Sequence, residues 1–84
     1  MAIRAKGTVA RLYPNSEGCY IRLDYSGVKP KDGYFFLDKD HGNYNALYSL
    51  AVAAAINRDK LTIRTKADID PNEHAKTVYM VVDW

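Results

Sequence analysis

The 84-residue sequence predicts a mainly β domain with one helix, an OB-fold-like five-stranded barrel in the order β-β-β-α-β-β. Three observations lead there. Tyr44 to Ile56 holds no proline, glycine or charge and is rich in alanine and leucine, which makes it a helix. On both sides of it, apolar and polar residues alternate in short runs separated by Pro, Gly, Asn and Asp. The first of these runs is long and contains Gly7, so a single strand can serve both sides of a closed sheet.

From Ile3 to Tyr13 the apolar side holds Ile3, Ala5, Gly7 and Val9, then changes phase so that Ala10 and Leu12 become the apolar pair. Such a change beside Gly7 predicts a bulge or a sharp coil. Tyr13 to Gly18 reads as a turn, after which Cys19, Ile21, Leu23 and Tyr25 alternate with Tyr20, Arg22 and Asp24 to complete a hairpin. Ser26 to Gly33 is a loop, and Tyr34 to Leu37 is a short third strand. Asp38 to Gly42 leads into the helix, whose first turn Asn43 or Asn45 can cap. After Asn57, Arg58 and Asp59 a fourth strand begins at Lys60, followed by a polar loop from Ala67 to Lys76. The last strand, Thr77 to Trp84, is expected to place Val78, Met80, Val82 and Trp84 on one face.

Residues 1–84 form one domain, long enough for a single core. With 48% hydrophobic and 26% charged residues the chain is ordinary globular material, and no stretch is apolar for long enough to span a bilayer. The start, Met1-Ala2-Ile3-Arg4, lacks the apolar core of a secretion signal, so a cytoplasmic location is expected unless a leader was removed. The single Cys19 has no intrachain partner, agrees with a reducing compartment, and reads as a small buried hydrophobe. Net charge is +2, but residues 1–31 carry six Lys/Arg against Glu17 and Asp24. That early basic bias can attract phosphates or acidic sugars.

No pattern of catalytic chemistry emerges. Asp38, Asp40 and His41 lack the third oxygen ligand and terminal Glu of a calcium loop, and Gly42 stands at the wrong place. His74 has no second His or Cys near it in sequence, which argues against zinc and reads as an exposed loop residue. Ser16, Ser26, Ser49 and Cys19 sit in no nucleophile pattern, and no glycine-rich phosphate loop occurs. The expectation is a protein that is not an enzyme, with no metal and no cofactor.

Binding is better supported. With the apolar partners inward, Arg4, Lys6, Tyr20, Arg22, Tyr34, Phe36 and Arg64 point outward. Tyr20, Arg22, Tyr34, Phe36 and Arg64 are the candidate ligand site, because aromatic faces with interleaved cations suit either sugars or single-stranded nucleic acid. They are also residue types that cover subunit interfaces. On the helix, Tyr44, Leu47, Leu50, Ala51 and Ala54 form the stripe assigned to the core. Asn45, Ser49, Val52, Ala53 and Ile56 lie opposite, and this apolar outer side predicts a homo-oligomer.

The segment Tyr44-Asn45-Ala46-Leu47-Tyr48, the helix it opens and Lys60-Leu61-Thr62-Ile63-Arg64 resemble the helix and fourth strand of the pentameric receptor-binding B subunits of bacterial toxins, of the subtilase and pertussis type. The resemblance implies a ring of five barrels with central helices and a glycan or another small ligand as partner. It departs from that family in lacking a disulfide pair and an export signal, so oligomerisation carries over more readily than sugar binding. The expected function is a non-catalytic oligomeric binding module, with a single-stranded nucleic-acid-binding OB protein as the alternative. The small net charge and the acids between residues 68 and 73 rank nucleic acid lower.

Overall fold

Long alternating runs that each keep one apolar side must wrap around a shared interior, and they do. In the computed structural model, which describes residues 2–83, the elements are β1 (Arg4–Asn15), β2 (Gly18–Asp24), β3 (Tyr34–Asp38), α1 (Tyr44–Asn57), β4 (Lys60–Thr65) and β5 (Ala75–Val82). The strands close into a barrel in the order β1-β2-β3-β5-β4. All neighbours are antiparallel except β3 and β5, which run parallel. The OB-fold-like barrel is therefore the architecture of the chain.

Closure depends on β1 serving two partners. Arg4 to Thr8 pair with β4, and Thr8 to Asn15 pair with β2. Gly7 lies at the handover, where a Cβ would stand 2.1 Å from the Asp24 carbonyl oxygen. Only glycine allows the two backbones that close. The expected bulge falls slightly later, between Val9 and Arg11, where the register against β2 shifts. Ala10 is consequently exposed and does not share an inner face with the half-buried Leu12.

The interior is filled by Cys19, Ile21, Phe35, Leu37, Leu61, Ile63 and Thr65, with Leu23, Ala75 and Met80 around them. Thr65 satisfies its hydroxyl by donating to the Ile3 carbonyl at 3.1 Å or the Ala67 carbonyl at 2.7 Å. Ile69, inside the loop read as polar, is also buried, and its amide donates to the Ala2 carbonyl at 2.8 Å.

The final strand differs from expectation. It begins at Ala75, and its register against β4 skips Val78: Thr65 faces Thr77, whereas Arg64 faces Tyr79. One unpaired residue exchanges inside for outside. Ala75, Thr77 and Met80 are therefore buried, Val82 is half-buried and Val78 is exposed. Trp84, assigned to the same face, lies outside the described residues.

Leu47, Ala51 and Ala54 of α1 are buried, and Tyr44, Tyr48 and Leu50 pack beside them, so the inner stripe is as the 3.6-residue period demands. The helix rests on β1 and β5 and, more lightly, on β3 and β4. Asn43 occupies the N-cap without a capping side-chain bond, and Asn45 is already helical. The approach is fixed by His41 instead, whose Nδ1 accepts from the Asn43 amide at 3.0 Å and whose carbonyl accepts from the Tyr44 amide at 3.0 Å. Arg58 ends the helix in the left-handed region at φ 60°, its amide donating to the Ala54 carbonyl.

Candidate functional site

Cross-strand register decides which outward side chains meet. Tyr20 stands opposite Phe36 and Arg22 opposite Tyr34 in the β2–β3 pair, while β1 places Tyr13 opposite Tyr20. Each pairing brings rings into contact. Tyr20 packs against Phe36 with centroids 4.8 Å apart, meets Tyr34 edge to face at 5.5 Å, and stacks with Tyr13 at 6.0 Å. The Arg22 guanidinium lies over the Tyr34 ring, 4.7 Å from its centroid.

Two segments from elsewhere complete a shallow depression lined by Tyr13, Asn15, Tyr20, Asp32, Tyr34 and His74. His74 comes from the β4–β5 loop and makes T-shaped ring contacts with Tyr20 at 5.2 Å and with Tyr34 at 6.4 Å. It is half-buried, not the free loop residue expected from sequence. Asp32 comes from a 3₁₀ turn, Lys31–Gly33, and holds the left-handed conformation at φ 56°. Its carboxylate is 3.8 Å from His74 Nε2, and its carbonyl accepts from Arg22 at 3.0 Å. The turn is held to the β4–β5 loop by the Lys31 amide, which donates to the Glu73 carbonyl at 2.8 Å. A strained non-glycine residue braced from two sides at a cluster of aromatic rings is a feature of binding sites.

Of the candidate ligand residues, the barrel thus brings together Tyr20, Arg22, Tyr34 and Phe36. Arg64 does not join them. It lies on β4 beside Arg4 and Tyr79, on the wall formed by β1, β4 and β5. Alternation told inside from outside but not which wall a residue faces. Tyr13, Asp32 and His74 were missed because their places depend on the strand extending to Asn15 and on loops that meet only in three dimensions.

The flanks of the depression are acidic. Glu17, Asp38 and Asp40 surround the outer shoulder of Tyr20 and Phe36, with Lys39 among them. Asp38 also accepts from the Asp40 amide at 2.9 Å, and His41 is engaged with Asn43 and with the Val78 carbonyl, so this approach loop is organised by its own backbone. Among the described residues no three His, Cys, Asp or Glu side chains gather as a metal site would require. No helix among the described residues is long and apolar enough to cross a membrane.

The face on which this depression lies is defined by β2, β3, the β1–β2 turn and the β4–β5 loop of an OB-fold-like barrel. Compared with protein-family models, with curated proteins and with solved structures, the chain matches none of them.

Proposed function

We propose that the protein is a non-catalytic binding module whose β2–β3 face takes a neutral carbohydrate. One observation carries this reading: Tyr13, Tyr20 and Tyr34 offer aromatic surface in one depression whose polar groups are Asn15, Asp32 and His74, with Phe36 packed against Tyr20 and Arg22 over Tyr34 beside it. Aromatic faces pack against the apolar faces of sugar rings, and carboxylate, imidazole and amide groups at the rim accept and donate to hydroxyls. Strands two and three, with the adjoining loops, are also where OB barrels bind oligosaccharides and oligonucleotides.

Charge separates those two ligands. A polyphosphate backbone needs an unbroken basic track. Here Arg22 is already committed to Tyr34 and to the Asp32 carbonyl, and Glu17, Asp38 and Asp40 stand beside the exposed ring edges. Hydroxyl-rich ligands tolerate such carboxylates and use them.

The outer side of α1 supports assembly. Ile56 is 75% exposed, with Ser49 and Ala53 exposed and Val52 partly exposed on the same side. Leaving isoleucine in water forgoes about 1.5–3 kcal/mol. A second copy meeting this side would recover it, and the resemblance of Tyr44 to Thr65 to toxin B subunits favours a ring of five.

The test is a glycan array followed by NMR titration with the best oligosaccharide, in parallel with a dT oligonucleotide over a salt series. Sugar binding that maps to Tyr20 and Tyr34, and that falls by about tenfold or more in Tyr20→Ala, is expected. Tighter binding of the oligonucleotide, weakening log-linearly with salt, would replace this function with the nucleic-acid one.

A further inference from the structure

Arg64 was assigned by sequence to the aromatic site, and its actual surroundings have a chemistry of their own. Arg4 and Arg64 are directly opposed in the β1–β4 ladder, and Arg64 is directly opposed to Tyr79 in the β4–β5 ladder. The three side chains form one row across three strands. Arg4 donates to the Tyr79 hydroxyl at 3.4 Å, and the Arg64 guanidinium stands 6.0 Å from the Tyr79 ring centroid. Lys6, opposite Thr62, adds a third cation in the next outward row.

Like charges placed opposite each other in an antiparallel pair are unfavourable. No carboxylate on these strands neutralises them: Arg4 to Thr8, β4 and β5 contain no acidic residue at all, and the neutral acceptors they find there are the Tyr79 hydroxyl for Arg4 and the Thr65 carbonyl, which accepts from Arg64 Nε at 3.3 Å. Among the described residues no carboxylate lies within ion-pair distance of Arg4 or Arg64, the single such contact being His74 with Asp32. The nearest acids in sequence, Asp59, Asp68 and Asp83, lie outside the strands.

We propose that Arg4, Arg64 and Tyr79 form an oxyanion site for one phosphate monoester or sulfate group. Guanidinium forks match the oxygens of a tetrahedral anion. The Tyr79 hydroxyl accepts from Arg4, which leaves its own proton free to donate to the same anion. In support, the Arg4 hydrogen bond first, and then Arg64, hold the Tyr79 phenol below its ordinary pKa of 10.0. The site takes a single group and not a nucleic-acid strand, because Val78 and Val81 flank Tyr79 with exposed apolar surface and, among the described residues, no further aromatic platform continues the row. It lies on a different wall from the β2–β3 depression, so it stands or falls independently of sugar binding.

The experiment is an NMR titration of the full chain with inorganic phosphate, inorganic sulfate and phenyl phosphate, ionic strength held constant with sodium chloride. Saturable shifts centred on Arg4, Arg64 and Tyr79 are expected in the millimolar range. Arg64→Gln and Tyr79→Phe should each weaken binding about tenfold, and Lys29→Gln, on the β2–β3 loop against Tyr25, should leave it unchanged. Tyr79→Phe removes one exposed oxygen and keeps the ring, so it decides the matter even where loss of Arg64 unsettles the sheet. Shifts reproduced by chloride alone, or unchanged in Tyr79→Phe, overturn the site. A dT oligonucleotide that binds these residues more tightly than phenyl phosphate, with the salt dependence of several phosphates, overturns the single-group assignment.

Discussion

His41 and Val78, 37 residues apart, are joined by a hydrogen bond of 2.8 Å from imidazole Nε2 to the backbone carbonyl. The carbonyl belongs to the residue that the β4–β5 register skips, so the bulge that turns Val78 outward also presents a bonding group to the helix-approach loop. The other ring nitrogen, Nδ1, accepts from the Asn43 amide immediately before α1. One imidazole, protonated on Nε2, thereby ties the start of the helix to the last strand. His41→Ala is expected to cost about 1–2 kcal/mol, the loss of two net hydrogen bonds. Urea denaturation checks this, and loss of amide protection should concentrate at Asn43 and Tyr44.

Gly7 in β1 and Gly42 in the loop before α1 differ sharply. A Cβ on Gly7 would meet backbone, the Asp24 carbonyl oxygen at 2.1 Å, whereas one on Gly42 would have nothing within 4 Å. Backbone cannot rotate aside as a side chain can. Gly7→Ala should lower stability by about 3 kcal/mol or more, at the upper end for overpacking, while Gly42→Ala should change it by less than about 0.5 kcal/mol. Equal midpoints for the two variants in denaturant would contradict the closure described for β1.

Cys19 is fully buried, and burial pushes its thiol above the ordinary value of 9.0, with the Tyr13 backbone opposing in part. The folded chain thus holds the thiol proton more tightly than the unfolded chain. Stability from this group is complete below pH 9.0 and declines as pH rises from there through the folded pKa. Tyr25 and Tyr44 are raised by burial as well and add to the decline, whereas the exposed Tyr79, lowered by Arg4 and Arg64, acts in the opposite direction. Melting temperature should therefore fall on the alkaline side, and less steeply in Cys19→Ala than in the wild type. A maleimide should label Cys19 slowly at pH 7.5 and at once in denaturant; fast native labelling would show that the strand opens.

The barrel was legible because burial imposes a period. Cys19, Ile21 and Leu23 against Tyr20, Arg22 and Asp24 could be sorted by alternation alone, and an uncharged helix between strands left few ways to close the sheet. The same alternation puts Tyr20, Arg22, Tyr34 and Phe36 on one outward face, but of the residues that line the depression it supplies only Tyr20 and Tyr34. What alternation cannot supply is the identity of neighbouring strands, which is why Arg64 was grouped with residues on another wall. Nor does it survive an inserted residue: the period puts Val78 on one face with Met80 and Val82, and the bulge separates it from them. His74 and Asp32 carried no local signal, since a loop side chain acquires a role only from whatever the fold sets beside it.

The outer side of α1 supplies the last prediction. Burial of Leu47, Ala51 and Ala54 uses one side of the helix, and no charged residue occurs between Tyr44 and Asn57 to solvate the other. Ile56 remains 75% exposed, with Val52 one turn before it and the small Ala53 and Ser49 alongside, a surface smooth enough for another backbone to approach. If copies meet here, a carboxylate at these positions has to be buried unpaired in the assembly, yet stays in water in the monomer. Val52→Asp combined with Ile56→Asp should therefore convert an oligomer into a folded monomer whose circular dichroism is unchanged. Light scattering on both proteins measures it. A wild type already monomeric at high micromolar concentration, or an assembly that keeps its mass with both aspartates in place, would mean that this side of the helix is simply left in water.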